Sequence, residues 1–166
     1  ALVHGAAAGG GFALVLESDI RIAGESARMN AAFIRIGLGA CDIGSSYFLP
    51  RIVGSSVASE LLLTGNFIEA PRALQTGLVS RVVPDAELER AGREKAEGLA
   101  RRVSSRAIAM GGTCTGEHGV GIHKLDALVA EHGEAVDLMR TIKRAFDPLD
   151  IMNPGKTVPR QETGVH

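Results

Sequence analysis

The sequence predicts an α/β fold in which a mixed first part is followed by a mainly helical segment. Short runs of alternating polar and apolar residues, over 19–23 and 78–83, predict half-buried strands. Helical patterns separate these runs, and beyond Val103 they give way to a glycine-rich stretch and a second amphipathic helix. With 166 residues, of which 45% are hydrophobic and 22% charged, the chain has the composition of one globular domain or two small ones.

Three consecutive glycines, Gly9 to Gly11, run directly into an apolar helical pattern over residues 10–18. Glycine has no Cβ atom, so a ligand can approach the backbone closely at this point. The first N–H groups of a helix lack an intrahelical partner and favour negative charge. The stretch therefore predicts a site for a developing oxyanion. Residue 13 is alanine, so no carboxylate accompanies that site.

Starting and stopping signals predict the remaining helices. Asp42 and the pair Ser55-Ser56 are candidate N-caps for the first two helices. Pro71 stands near the first turn of the third helix, and Glu and Arg at i,i+3 and i,i+4 spacings support the fourth. A fifth, amphipathic helix precedes an Asp-Pro break. These helices follow Asp42, Ser55-Ser56, Ala70-Pro71 and Pro84, the fourth running to about Val103, and the fifth covers about Leu125 to Phe146.

Composition and charge exclude several classes of partner. The net charge is −1, and five Phe, one Tyr and no Trp are too few aromatic rings for a base-stacking surface, so nucleic acid is not expected. The apolar run from Ala1 to Leu16 contains His4 and four glycines and is shorter than the roughly 20 residues that a membrane span needs. Cys41 and Cys114 lack metal-binding spacing, which is typical of a cytoplasmic protein.

Ordered motifs occupy the first part of the chain, at 5–11, 19–23, 49–54, 60–65 and 77–84. Through them, residues 1 to about 103 resemble the enoyl-CoA hydratase/isomerase (crotonase) superfamily, truncated at both ends. The resemblance implies a partial ββα spiral, a trimeric homo-oligomer and an acyl-CoA thioester substrate of fatty acid metabolism, acted on by lyase or isomerase chemistry. It also implies that the backbone N–H of Gly10 holds the thioester oxyanion. The first residue is Ala rather than Met, which predicts a start inside a longer reading frame.

The sequence departs from this family's pattern where its hydratases carry two glutamates. Those places hold Ala13 and Phe33, and neither side chain can transfer a proton. Weak or no hydratase activity is therefore expected. Asp42 stands in a stretch that resembles the one in which some isomerases and a dehalogenase of the superfamily hold their working aspartate. Two roles remain open for Asp42, an N-cap and a proton carrier.

A second set of motifs lies at 111–121, 131–133 and 147–156. Through them, residues 108 to about 158 resemble the C-terminal end of FAD-linked oxidases of the D-lactate dehydrogenase and glycolate oxidase type. The resemblance implies FAD as cofactor, Glu117 as a metal ligand, His118 as a substrate-binding or proton-accepting residue, and Asn153 near the flavin. A catalytic metal site normally needs about three protein ligands, so Glu117 alone is an incomplete site.

These observations predict a crotonase-like segment over 1–103, a junction over 104–110, an oxidase-like segment over 111–158 and a tail over 159–166. Three hypotheses for function follow. The first is a crotonase-like acyl-CoA-binding protein, which requires no cofactor. The second is a remnant of an FAD-dependent 2-hydroxy acid dehydrogenase or oxidase, and the third is a non-catalytic fusion product.

Overall fold

The computed structural model describes residues 1–39 and 43–160, and it confirms the mixed α/β fold class. Within these residues the strands are β1 (Leu2–Val3), β2 (Ala6–Ala8), β3 (Ile22–Gly24), β4 (Arg28–Asn30), β5 (Ile68–Glu69) and β6 (Arg81–Val83). The α-helices are α1 (Gly10–Glu17), α2 (Ser45–Thr64), α3 (Ala70–Gln75), α4 (Leu88–Ala109), α5 (Leu125–His132) and α6 (Ala135–Phe146). Short 3₁₀ helices cover Ala32–Ile36 and Asp85–Glu87.

The strands form two small sheets. One sheet has the order β1-β3-β6 and is parallel throughout, with Ala23 opposite both Val3 and Val82. The other has the order β2-β4-β5, in which β2 and β4 run parallel while β4 and β5 run antiparallel. Ala8, the last residue of β2, pairs with Asn30, the last residue of β4. The second sheet therefore brings the residues before α1 next to the end of β4.

The range of α2 contains the two helices that the sequence predicts, and they meet at a kink. It begins at Ser45 with Gly44 as its N-cap, so the capping position is not Asp42. It continues through Pro50 and bends at Gly54, whose φ of 78° and ψ of 162° are not helical. The predicted restart at Ser55-Ser56 falls directly after this bend. The interruption that the sequence indicates is thus present, as a kink at Gly54 between two helical segments.

The chain divides into two compact units, Ala1–Lys95 and Ala96–His166, and the division falls inside α4. α4 runs on to Ala109, beyond the predicted end at Val103, because residues 104–109 contain no glycine or proline. The core of the first unit joins both sheets to α1, α2 and α3. Its largest fully buried side chains are Phe12, Met29, Leu49, Leu61, Ile68, Leu78 and Val79.

The second unit contains the end of α4, a glycine-rich loop and the helices α5 and α6. The single helix predicted over 125–146 is wrong, because Gly133, at φ 51° and ψ −126°, separates α5 from α6. Glycine tolerates this backbone conformation, whereas L side chains rarely adopt it. No helix within 1–39 or 43–160 combines the length and apolar content needed to cross a bilayer.

Candidate functional site

The glycine turn between β2 and α1 has the geometry of an anion site. Gly9 has φ 54° and ψ −117°, and its N–H donates to the carbonyl oxygen of Asn30 at 3.1 Å. The N–H of Ala13 donates to the carbonyl oxygen of Gly9 at 3.0 Å, and this is the first bond of the helix. The N–H groups of Gly10, Gly11 and Phe12 precede that bond, so α1 itself offers them no acceptor.

Gly10 and Gly11 are exposed, so their N–H groups are open to a ligand. A Cβ atom built on Gly11 would meet nothing within 4 Å, and one built on Gly10 would meet only Ile43 Cδ1, at 3.9 Å. The positive end of the α1 dipole adds to the attraction for negative charge. The turn can therefore donate hydrogen bonds to an oxygen that gains charge during a reaction.

The two positions where hydratase glutamates are expected carry no group that could transfer a proton. Ala13 is buried in α1, with 2% of its surface exposed. Phe33 lies on the 3₁₀ helix that follows β4 and packs partly into the core. A Cβ atom built on Gly9 would lie 3.9 Å from Phe33 Cε1, so this ring borders the glycine turn. Glu17 is exposed at the opposite end of α1.

Asp42, the proton carrier suggested by the sequence, lies outside the described residues. The segment that follows it begins with Ile43, beside Gly10, and continues into α2. Ser45 at the start of α2 is fully buried, and its Oγ has no hydrogen-bond partner among the described residues. Sequence analysis gave Ser45 no role, because a serine at a helix start is usually a solvated cap.

In the second unit, the residues assigned by resemblance to oxidases do not form an enclosed site. Glu117 and His118 lie on the glycine-rich loop with side chains 89% and 88% exposed, and Glu117 Oε1 is 3.5 Å from His118 Nε2. Asn153 is exposed, in a turn where its φ is 49°. Across the described part of the chain, no three His, Cys, Asp or Glu side chains are grouped as metal ligands. Within residues 1–39 and 43–160, Glu117 has no such group of neighbours beside it.

A half-buried carboxylate, whose role the sequence did not indicate, orders this loop instead. Glu131 on α5 accepts a hydrogen bond at its Oε2 from the N–H of Cys114, at 2.8 Å. Hydrogen bonds from Cys114 and Thr113 lower the pKa of Glu131 from its ordinary 4.5 to about 2. Burial raises the pKa of the Cys114 thiol. The sequence offered one signal for this contact, the i,i+3 spacing of Leu128 and Glu131. Leu128 is buried, so Glu131 lies on the same helix face.

The end of the second unit holds a polar network around a cavity of about 350 Å³. Asp147 is almost fully buried and accepts the N–H groups of Ile151 and Met152 at 3.0 and 2.8 Å, and also pairs with Lys143. These hydrogen bonds, first among them that of Lys143, lower the pKa of Asp147. The network closes the turn after α6, which is a structural role.

Comparisons with known proteins agree with both resemblances. Residues 81–157 match the family model of the FAD linked oxidases, C-terminal domain. A mitochondrial D-lactate dehydrogenase [cytochrome] of Arabidopsis thaliana is 52% identical over 68 residues, which are 40% of this chain and 12% of that protein.

The first part of the chain is similar to known proteins over a longer stretch of residues. A probable enoyl-CoA hydratase of Mycobacterium tuberculosis is 52% identical over 88 residues, or 53% of this chain and 31% of the relative. The crystal structure of an enoyl-CoA hydratase from Mycobacterium paratuberculosis superposes with a TM-score of 0.56 at 41% identity, covering 57% of this chain and 42% of that one. The chain thus spans about a third of the length of this curated hydratase relative.

The family model of enoyl-CoA hydratase/isomerase matches residues 1–112, which is more than half of the 166 residues and includes the whole glycine turn. The chain belongs to the enoyl-CoA hydratase/isomerase family.

Proposed function

We propose that the first unit binds an acyl-CoA thioester with the carbonyl oxygen at the N–H of Gly10. The glycine turn carries this proposal, because the N–H groups of Gly10 and Gly11 are exposed at the start of α1, have no backbone acceptor among the described residues, and belong to residues without a Cβ atom. A thioester carbonyl gains negative charge when its α-carbon loses a proton or its β-carbon gains a nucleophile. Hydrogen-bond donors that are already positioned around that oxygen stabilise the charged state more than the neutral thioester.

Hydration by paired glutamates is not part of the proposed activity. Addition of water across an enoyl double bond needs one group to activate the water and one to protonate the α-carbon. Ala13 and Phe33 do neither, and the Phe33 ring occupies space beside the turn. The chain is therefore proposed to bind thioesters with weak or no hydratase activity. A trimeric assembly stays a prediction.

Asp42 is the proposed proton carrier for any residual turnover. It is joined by one peptide bond to Ile43, whose side chain borders Gly10. A carboxylate that reaches the α- or γ-carbon of a bound enoyl thioester could move a proton between them, which is an isomerisation rather than a hydration. Gly44 holds the N-cap position of α2, so that position does not require Asp42.

Paired ligands test the proposed binding mode. Crotonyl-CoA carries the thioester oxygen, whereas its thioether analogue S-crotyl-CoA has a methylene group in its place. We expect crotonyl-CoA to bind more tightly by about three- to tenfold, the contribution of one net hydrogen bond, in calorimetric titrations. Equal affinities for the two ligands would show that Gly10 does not hold the carbonyl oxygen.

A remnant of an FAD-dependent 2-hydroxy acid oxidase is the second candidate, favoured by the family match over 81–157. In this hypothesis Glu117 contributes to a metal site, His118 meets the substrate and Asn153 lies near the flavin. The exposure of Glu117 and His118 leaves them without the enclosed surroundings that such chemistry needs. The non-catalytic fusion product is the remaining alternative, and it predicts that neither ligand class binds.

A further inference from the structure

Asn30 links the glycine turn to the far end of α2. The residue is the last of β4 and is 97% buried, since only 3% of its surface is exposed. Its carbonyl oxygen accepts the N–H of Gly9 at 3.1 Å, and its side-chain Nδ2 donates to the carbonyl oxygen of Gly65 at 2.9 Å. One residue thus contacts the segment that starts α1 and the residue that ends α2.

The side-chain bond attaches Asn30 to the C-terminal end of α2. Gly65 is held in turn, because its N–H donates to the carbonyl oxygen of Leu61, a fully buried residue of α2, at 3.0 Å. The Nδ2 bond therefore attaches the end of β4 to a rigid helix terminus. An apolar side chain at position 30 would leave the carbonyl oxygen of Gly65 without this donor.

The position of Asn30 matters for the peptide that follows Gly9. Because Gly9 has a φ of 54°, the peptide that carries the Gly10 N–H is turned away from the direction of β2. The hydrogen bond from the Gly9 N–H to the Asn30 carbonyl oxygen joins Gly9 to the end of β4. A shift of the Asn30 carbonyl would rotate Gly9 and with it the N–H of Gly10.

The Asn30 side chain is not simply a well-paired core group. Its Oδ1 is buried without a hydrogen-bond partner among the described residues, which is unfavourable for folding. The hydrogen bonding of the Asn30 side-chain amide to the described residues therefore consists of the bond from Nδ2 to the Gly65 carbonyl oxygen. We propose that Asn30 is a positioning residue that acts through Gly9 to aim the N–H of Gly10 at the thioester carbonyl oxygen. This inference rests on the proposed thioester binding.

The ratio of two affinities separates positioning from general stability. For the wild type and for Asn30→Ala, dissociation constants are measured for crotonyl-CoA and for S-crotyl-CoA. We expect Asn30→Ala to lose the thioester preference, about three- to tenfold, while affinity for the thioether stays unchanged. Val79→Ala, which truncates a buried side chain outside the turn, is the matched control and should keep the preference although its melting temperature falls.

Each outcome decides a different question. If the wild type shows no thioester preference, the proposed function fails and this inference fails with it. If the wild type has the preference and Asn30→Ala retains it, only the role of Asn30 is wrong. An equal loss in Asn30→Ala and Val79→Ala would also overturn it, because the effect would then reflect stability. If Asn30→Ala does not fold, Asn30→Ser, which retains a short polar group, is measured against the same control.

Discussion

The carboxylate of Glu131 accepts the backbone N–H of Cys114 at 2.8 Å and so ties α5 to the glycine-rich loop of the second unit. This bond, together with those from the Cys114 thiol and Thr113, lowers the pKa of Glu131 from 4.5 to about 2. A carboxyl group with a lowered pKa in the folded state stabilises folding above its unfolded pKa, and this contribution is lost as the pH falls through the folded value. The second unit should therefore weaken between pH 4.5 and about pH 2.

Replacing Glu131 by Gln isolates this contribution from the other carboxylates that titrate in the same range. We expect Glu131→Gln to lower the free energy of unfolding at pH 7, because a neutral amide oxygen accepts the Cys114 N–H less strongly. The difference from the wild type should shrink toward pH 2. Urea unfolding followed by circular dichroism at several pH values measures it, and a difference that does not change with pH would contradict the assignment of the shift to Glu131.

The backbone of Gly9 permits a sharp test of the glycine turn. At φ 54°, alanine is strained, so Gly9→Ala should lower the free energy of unfolding by about 1–2 kcal/mol and abolish the preference for a thioester over its thioether analogue. Gly11→Ala is the matched control. A Cβ atom there meets nothing within 4 Å, and alanine should stabilise the helix by about 0.5–1 kcal/mol while the preference remains. Loss of the preference in both variants would show that the site tolerates no added methyl group.

Sequence reasoning identified the elements whose signals are local. The start of α1 at Gly10, within the run of three glycines, and α3 with its proline in the first turn both form as predicted. The break at Gly54 was also predicted, by the paired serines that follow it, whereas periodicity alone did not show that Gly133 separates α5 from α6, because Gly133 lies within an amphipathic helical pattern. Gly133 ends α5 through its positive φ, a backbone conformation that glycine adopts readily but that a glycine in the sequence does not by itself predict.

The site was predictable only in part for a similar reason. The three consecutive glycines predict an anion site, and the sequence itself shows that positions 13 and 33 carry no carboxylate. Asn30 gave no signal, because its importance depends on a bond to Gly65, which is 35 residues away. Glu131 belongs to a recognised motif and shares a helix face with Leu128, but its hydrogen bond to Cys114, 17 residues earlier, was not predicted. Long-range pairs of this kind follow from the fold and not from a local pattern.

Hydration of crotonyl-CoA should be very slow. Lack of a positioned acid and base typically costs a factor of about 10²–10⁴ in rate, so the purified chain should fall at least that far below hydratases that carry both glutamates. The loss of enoyl absorbance measures the rate. Any residual isomerisation of an enoyl-CoA should fall further in Asp42→Asn, and unchanged turnover in this variant would remove Asp42 from the mechanism. Hydration at the rate of a two-glutamate enzyme would refute the proposed activity.

Flavin binding distinguishes the two family resemblances within one chain. The oxidase hypothesis requires FAD, yet His118 and Glu117 are almost fully exposed and are grouped with no third ligand in the described residues. We therefore expect the purified protein to show no visible flavin absorbance, and added FAD to leave its melting temperature unchanged, since a ligand raises the melting temperature only when it binds the folded state. His118→Ala should behave as the wild type does. A FAD-dependent rise in the melting temperature that His118→Ala or Asn153→Ala abolishes would instead favour the oxidase hypothesis.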